Sequence, residues 1–194
     1  MREMISMIVV LTVLTSVSGF LLSTVQSVTK EPIEIAILNI VQAPAIKEIF
    51  PEAENDPIAE RFPIETENGP IKIFPAKLAD GNTAIAFETK GKGGYGGDVG
   101  FMVGINLEND QIIATRVTTH SETPGFGARA KDDPEFVSQF AEKSMSDNLG
   151  LKSSGGSIDA MSGATVTSMA ITLAVKEAQR LYKQLKPEIL KQIK

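Results

Sequence analysis

The N-terminal stretch from Met4 to Thr29 contains no charged residue, and most of it is apolar. A helix of that length spans roughly 30 Å, which is about the thickness of the hydrocarbon core of a bilayer. We therefore predict a transmembrane anchor over residues 1–29. A cleaved signal peptide is the competing interpretation, but the apolar stretch is long for one and no Ala-x-Ala site follows it.

The charges that flank this stretch predict its orientation. Arg2 and Glu3 precede it, and the first charges after it are Lys30 and Glu31. The positive-inside rule then predicts a cytoplasmic N-terminus, with the rest of the chain on the extracytoplasmic side of the cytoplasmic membrane.

The composition excludes several functional classes. The chain of 194 residues has no Cys, one His and a net charge of −5. Thiolate metal sites, iron–sulfur clusters, disulfide scaffolds and haem held by two histidines do not fit this composition. The acidic balance makes nucleic acid an unsuitable partner. We predict no metal site.

The segment after the anchor is predicted to link it to a globular domain. Residues 32–50 have the pattern of an amphipathic helix that is interrupted near Pro44. Residues 51–70 are acidic and rich in Pro and Asn, which predicts a loop. We therefore assign residues 30–70 to a linking helix and loop.

Four short runs with strand composition follow, and together they predict a sheet. Pro75 limits the first run to an edge strand, because proline cannot donate a ladder hydrogen bond. The last two runs predict a hairpin of central strands that turns at residues 108–110. The runs span residues 71–77, 83–89, 99–107 and 111–119.

Two later segments predict helices on this sheet. Residues 133–143 begin with Asp133 as cap and Pro134 at the first position. Residues 168–182 place Ala and Leu on one stripe. The fold class predicted for residues 71–194 is α+β, an antiparallel or mixed sheet flanked by helices and preceded by one transmembrane helix.

The most specific stretch is Asp159-Ala-Met-Ser-Gly-Ala-Thr-Val-Thr-Ser168, which lies in a turn that opens the second of these helices. The first amides of a helix have no internal partners and carry the positive end of the dipole, so they suit a phosphate. Thr165 would hold its hydroxyl at that point. The alternative is an ordinary N-terminal cap, for which Ser and Thr are favoured.

Two glycine-containing loops complete the candidate site. Residues 91–100 hold six glycines around Tyr95, which allow close approach to a ligand or a positive φ. Tyr95 either covers a ligand or packs on its own domain. Residues 120–127, His-Ser-Glu-Thr-Pro-Gly-Phe-Gly, form a turn at the end of a strand. His120 in this turn is more simply a structural hydrogen-bonding group than a proton donor.

Asp-x-x-Ser-Gly-Ala-Thr-x-Thr resembles the flavinylation motif of the FMN-binding domain family. In that family FMN is joined through its phosphate, as a phosphoester, to the second hydroxyl residue of Ser-Gly-Ala-Thr. The resemblance implies covalent FMN on Thr165. The other positions that match the motif are Asp159, Ser162, Gly163, Ala164 and Thr167.

Residues 120–127 are similar to the second signature of the same family, which usually has Leu where this chain has Phe126. The resemblance implies that Phe126 packs on the isoalloxazine face and that Thr123 bonds its polar edge. The implied cofactor-binding residues in this loop are Glu122, Thr123, Gly125, Phe126 and Gly127.

The order of anchor, linking helix and two motifs resembles the G subunits of Rnf ion-translocating electron transport complexes. The resemblance implies electron relay between ferredoxin and NAD, coupled to Na⁺ or H⁺ movement, with the other Rnf subunits as partners and a flavin transferase for maturation. It implies no independent catalytic site. The alternatives are a C-type component of the sodium-translocating NADH:quinone reductase, a stand-alone anchored reductase, and a non-redox assembly module.

Overall fold

The computed structural model describes residues 1–132 and 135–193. These residues divide into two compact units, one over residues 1–40 and a second that begins at residue 41. The first unit is helical. Helix α1 spans Arg2–Ile37, and a π-helical turn, Leu38–Gln42, follows it. Among the described residues one helix is long and apolar enough to cross a membrane, with a mean hydropathy of 2.3 in its most apolar window.

The threonine hydroxyls of α1 donate hydrogen bonds to backbone carbonyls of the same helix. Thr12 and Thr24 donate to the carbonyls four residues earlier, those of Ile8 and Phe20, at 2.8 Å. A hydroxyl bonded in this way exposes no free donor, which suits a helix surrounded by hydrocarbon.

The second unit is built on a five-stranded sheet in which every neighbouring pair is antiparallel. The strand order follows the chain, so the sheet is a simple meander. This confirms the predicted α+β class. The strands are β1 Phe62–Ile64, β2 Ile71–Lys77, β3 Thr83–Gly91, β4 Val99–Asn106 and β5 Ile112–Val117.

The first strand lies inside the segment that the sequence predicts to be a loop. β1 pairs with residues 71–73 of β2, so β2 is not an edge strand there, and that prediction is wrong. Pro75 itself lies beyond the end of β1. Its carbonyl accepts a hydrogen bond from the Asn55 side chain at 3.1 Å. The proline therefore costs no ladder hydrogen bond, which is why β2 tolerates it.

The predicted hairpin of β4 and β5 is present, and its turn is correct. The Asn106 amide donates to the Gln111 carbonyl at 2.9 Å, and Asp110 takes a positive φ of 58°. Of the two strands in this hairpin, however, only β4 lies in the interior of the sheet. β5 ends the sheet, so the prediction of two central strands is wrong for β5.

Helices cover both faces of the sheet. The long helix α5, Thr165–Gln192, packs on β3 and β4 and continues through Pro187. Helix α2, Ala43–Ile49, lies on the opposite face, where Ile46 and Ile49 are buried. A Cβ placed on Gly104 of β4 would lie 2.3 Å from Ile49, so glycine admits α2 to this face. Pro44 lies in the first turn of α2, close to the predicted interruption.

The contact between α5 and β3 is nearly backbone to backbone. A Cβ on Gly91 would lie 1.9 Å from the carbonyl oxygen of Ala170 and 3.3 Å from Cβ of Ala174. The absence of a side chain at Gly91 therefore sets how closely the helix approaches the sheet.

Two short helices, α3 Arg129–Asp132 and α4 Glu135–Ser138, replace the longer helix predicted over 133–143. Asp133 and Pro134, the predicted cap and first position, lie outside the described residues. Both phenylalanines of this segment, Phe136 and Phe140, are buried, and Phe140 packs edge-on against Phe101 of β4.

An ionic cluster fastens the β4–β5 turn to α5. The Asp110 carboxylate accepts hydrogen bonds from Tyr182 and Lys186. Burial favours the neutral acid, but these hydrogen bonds and the Lys186 charge outweigh it and hold the pKa of Asp110 below its ordinary value of 3.8. Burial, with the hydrogen bond to Asp110, raises the pKa of Tyr182.

Neutralising Asp110 should lower stability in a pH-dependent way. Asp110→Asn keeps a residue that tolerates the positive φ but removes the charge. We expect a loss of about 1 kcal/mol in the free energy of unfolding near neutral pH, because the pair is partly exposed.

The pH dependence follows from the lowered pKa. The contribution of Asp110 is present above its ordinary pKa and is lost as pH falls through its folded value, so the variant and the wild type should converge in acid. Denaturant unfolding of the detergent-solubilised chain at neutral and acidic pH measures this. Glu108→Gln, an exposed neutralisation in the same turn, serves as the control and should have little effect at either pH.

Candidate functional site

The predicted flavinylation motif runs into the start of α5. Thr165 is the first residue of the helix and is exposed, and Ala164 occupies the N-cap position with φ −136°. Within the described part of the chain, no side chain caps this end. Because the first helical bond is from the Ser168 amide to the Ala164 carbonyl, the amides of residues 165–167 have no partner within the helix. The motif is therefore not an ordinary Ser/Thr cap.

A buried serine fixes the turn before the helix. Ser168 is fully buried, and its hydroxyl donates to the Ala164 carbonyl at 2.9 Å while accepting from the Met161 amide at 2.9 Å. Gly163 between them has φ +74°, a conformation that other residues adopt only with strain. Together these features present Thr165 on a rigid corner.

The loop of residues 120–127 faces this corner. The Thr123 carbonyl accepts from the amides of Phe126 and Ala128 at 3.2 Å, and Gly125 turns the chain with φ +75°. The Nδ1 atom of His120 accepts a hydrogen bond from the Glu122 amide at 3.2 Å.

Glu122 is the buried polar centre of the site. Glu122 is only 6% exposed. One carboxylate oxygen accepts from the Gly96 amide at 3.0 Å, and the other accepts from the Thr167 hydroxyl. The carboxylate thus joins the glycine-rich loop, the 120–127 loop and the first turn of α5, and its two donors offset the cost of burying it.

Two glycines leave the space that the Glu122 side chain occupies, and a third lies against the backbone of the preceding residue. A Cβ on Gly94 would lie 2.6 Å from one carboxylate oxygen, and a Cβ on Gly127 would lie 2.5 Å from the other. A Cβ on Gly96 would lie 1.9 Å from the Ser121 carbonyl oxygen. The glycines of both loops therefore let the two loops pack closely at Ser121 and Glu122.

These segments enclose a cavity of about 550 Å³. The volume falls within the range of small-molecule and cofactor sites. Thr165 lies on its wall beside the apolar side chains of Phe126 and Val166. The remaining lining residues are Tyr95, Glu122, Thr123, Gly127, Gly163, Ala164 and Thr167.

A second cavity, of about 460 Å³, is lined by the N-terminal part of the flavinylation motif, residues 159–162. Asp159 and Ser162 line it, together with Arg129 and Gln139. The structure therefore divides the predicted site residues between two neighbouring cavities. Gly125 lines neither and instead forms the turn between Thr123 and Phe126.

Side chains that sequence analysis missed hold this second region. Gln139 binds both backbone groups of Asp159, accepting from its amide at 2.8 Å and donating to its carbonyl at 3.3 Å. Lys152 pairs with the Asp159 carboxylate at 2.6 Å, and Arg129 donates to the Ser162 carbonyl. None of the three belongs to a sequence motif, so only the fold reveals them. Across the described ranges, no group of three or more His, Cys, Asp or Glu is placed to hold a metal.

Comparison with known proteins defines the class. The FMN-binding domain family matches residues 94–180, which contain the glycine-rich loop from Gly94, the 120–127 loop and the start of α5. The fold is similar to that of NqrC from Shewanella oneidensis, with a TM-score of 0.50 and 21% identity over 70% of this chain and 72% of that one.

Relatives over most of the chain carry one name, the G subunit of an ion-translocating oxidoreductase complex. The protein of Methanosarcina acetivorans is 29% identical over 91% of this chain and 93% of its own. That of Cereibacter sphaeroides is 29% identical over 90% and 82%, and that of Vibrio cholerae is 33% identical over 69% and 68%. The chain belongs to the family of G subunits of these complexes, as its two motifs predicted.

Removing the hydroxyl that Thr167 donates to Glu122 should loosen the site. Thr167→Val keeps the side-chain shape but leaves the buried carboxylate with one donor fewer, which should cost about 1–3 kcal/mol in the free energy of unfolding. Thr172→Val is the matched control: Thr172 is also buried on α5, but its hydroxyl bonds only its own helix. Equal destabilisation of the two variants would contradict the role assigned to Glu122.

Proposed function

We propose that this protein relays electrons within a membrane-bound ion-translocating ferredoxin:NAD oxidoreductase, the Rnf complex, through FMN joined by its phosphate to Thr165. The observation that carries the proposal is the exposed Thr165 hydroxyl at an uncapped helix start, on the wall of a cofactor-sized cavity. Membership of the G subunit family supports the same conclusion.

The helix start suits the phosphate of the cofactor. The free amides at residues 165–167 point along the helix axis and carry the positive end of its dipole, so they stabilise an anion beside Thr165. Esterification bonds the Thr165 oxygen to phosphorus and releases the hydroxyl proton and the leaving group of the flavin donor. Ser162, Gly163 and Ala164 form the turn that leaves this oxygen accessible to a flavin transferase.

The cavity wall suits the flavin ring. Phe126 is 55% exposed and offers an apolar ring, and a Cβ on Gly163 would lie 3.4 Å from Cδ1 of that ring. Thr123 supplies a hydroxyl toward the polar edge of the ring. Thr167 and Gly127 act through Glu122, which keeps the loop and the helix in register. Asp159 anchors the incoming segment through its bonds to Gln139 and Lys152.

The residues of the site fit a relay rather than acid–base catalysis. Bound FMN would supply reversible electron uptake and release. Both oxygens of the Glu122 carboxylate already accept structural hydrogen bonds, and His120 Nδ1 is bonded to a backbone amide. The protein thus contributes binding, orientation and a rigid frame, and we assign it no catalytic site of its own.

The N-terminal helix supports a membrane location. We propose that residues 1–29 anchor the chain in the cytoplasmic membrane with the N-terminus inside, and that the FMN-binding domain lies outside. The compact unit of this domain takes in α2 and β1, so it begins before the boundary at residue 71 that the sequence predicts. A covalent bond to the cofactor prevents its loss into an open compartment. The anchor keeps the domain near the other membrane and peripheral subunits of the complex.

Replacing Thr165 tests the attachment. The chain should be co-expressed with a flavin transferase, denatured and separated on a gel, where in-gel fluorescence reports only covalently bound flavin. We expect the wild type to fluoresce and Thr165→Ala to lose the signal, because no oxygen remains to form the ester. Thr165 is exposed, so the substitution should leave the fold unchanged.

Ser162→Ala is the matched control for a second hydroxyl three residues away. We expect it to retain the fluorescent band, and the mass of the wild-type peptide that contains Thr165 should include one FMN. A fluorescent Thr165→Ala band, or an unmodified wild-type peptide, would refute the linkage.

The proposed topology can be tested by thiol labelling, because the chain contains no cysteine. A membrane-impermeant maleimide should label Lys183→Cys, on the exposed side of α5, in intact spheroplasts. Glu3→Cys should react only after permeabilisation. The reverse pattern would place the domain in the cytoplasm.

A further inference from the structure

Tyr95 is an exposed aromatic residue on the wall of the cavity that contains Thr165. Tyr95 is 78% exposed, whereas tyrosine is on average considerably more buried than this. It therefore does not pack into its own domain. Its phenol oxygen forms no hydrogen bond in the described parts of the chain, so neither the core nor a polar network explains its position.

The loop that carries Tyr95 is held firmly. The amide of Gly96, the next residue, donates to Glu122 at 3.0 Å. Gly94, the preceding residue, and Gly96 both approach the 121–122 backbone or side chain too closely to accept a Cβ. Tyr95 thus projects from a short segment that is fixed on both sides.

We propose that Tyr95 forms the outer wall of the flavin site, with its ring against the isoalloxazine of an FMN held at Thr165. This inference rests on the proposed function and assigns a residue outside the two signatures. An apolar ring face is favoured to cover another flat ring, since stacking removes surface from water on both. Phe126 and Val166 line the same cavity, so the three side chains form an apolar frame around the ring.

A tyrosine in this position has a measurable consequence. A phenol in contact with an excited flavin donates an electron to it and receives it back, which quenches the fluorescence without net reaction. Phenylalanine has a similar ring but is a far poorer electron donor. Tyr95→Phe should therefore keep the wall and remove the quenching.

The composition makes this readout specific. The chain contains no Trp and only two Tyr. The other, Tyr182, lies seventeen residues after Thr165 on α5, roughly 25 Å along the helix, and its hydroxyl donates to Asp110. Tyr95 is thus the one phenol in this chain near the cavity.

The experiment compares the full-length chain, flavinylated and purified in mild detergent, as wild type, Tyr95→Phe and Tyr182→Phe. For each, flavin fluorescence is measured in the native state and after denaturation. We expect a wild type that is strongly quenched when native, a several-fold rise in the native-to-denatured ratio for Tyr95→Phe, and no change in that ratio for Tyr182→Phe. Denatured fluorescence per chain should be equal in all three.

The outcomes separate the two proposals. An unchanged native-to-denatured ratio in Tyr95→Phe, with normal denatured fluorescence, overturns the contact of Tyr95 with the flavin and leaves the attachment standing. A wild type without denatured fluorescence overturns the attachment and the assignment of Tyr95 with it. A rise in Tyr182→Phe equal to that in Tyr95→Phe would also refute the proposal, because it would trace the quenching to a change in the fold.

Discussion

The buried carboxylate of Glu122 is the interaction on which the site depends. It accepts from the Gly96 amide and from the Thr167 hydroxyl, so one side chain joins three segments that are distant in sequence. A carboxylate in that position is stable only while its donors stay in place. This interaction also requires glycine at positions 94 and 127, because a Cβ at either position would displace the Glu122 carboxylate.

Much of the architecture could be predicted from local signals. The β4–β5 hairpin has alternating apolar residues and an Asn-Asp turn, and the motif at the start of α5 has a composition that few other structures require. The outer strands were less accessible. β1 is only three residues long and lies in an acidic stretch rich in Pro and Asn, and no residue of β5 indicates that it ends the sheet. The bonds that Gln139 and Arg129 make to the motif were also invisible, because no spacing rule links a side chain to a backbone group twenty or more residues away.

The site combines a rigid frame with a free helix start. Ser168 and Glu122 take up the hydrogen-bonding capacity of the turn and the loops, whereas the amides at residues 165–167 keep theirs. Such a division suits a protein that holds a redox cofactor by orientation and charge. The exposure of Phe126 and Tyr95 fits the same purpose, because apolar surface left open in a folded domain usually has a partner.

The close contact at Gly91 has a consequence for electron tunnelling. Ala170, whose carbonyl lies against Gly91, follows Thr165 by five residues, or about 7.5 Å along the helix. The contact between Gly91 and Ala170 therefore helps to set the distance of the Thr165 oxygen from the sheet. Tunnelling rates fall exponentially with donor–acceptor separation. The lack of a Cβ at Gly91 therefore helps to set the distance over which electrons would reach or leave a group held at Thr165.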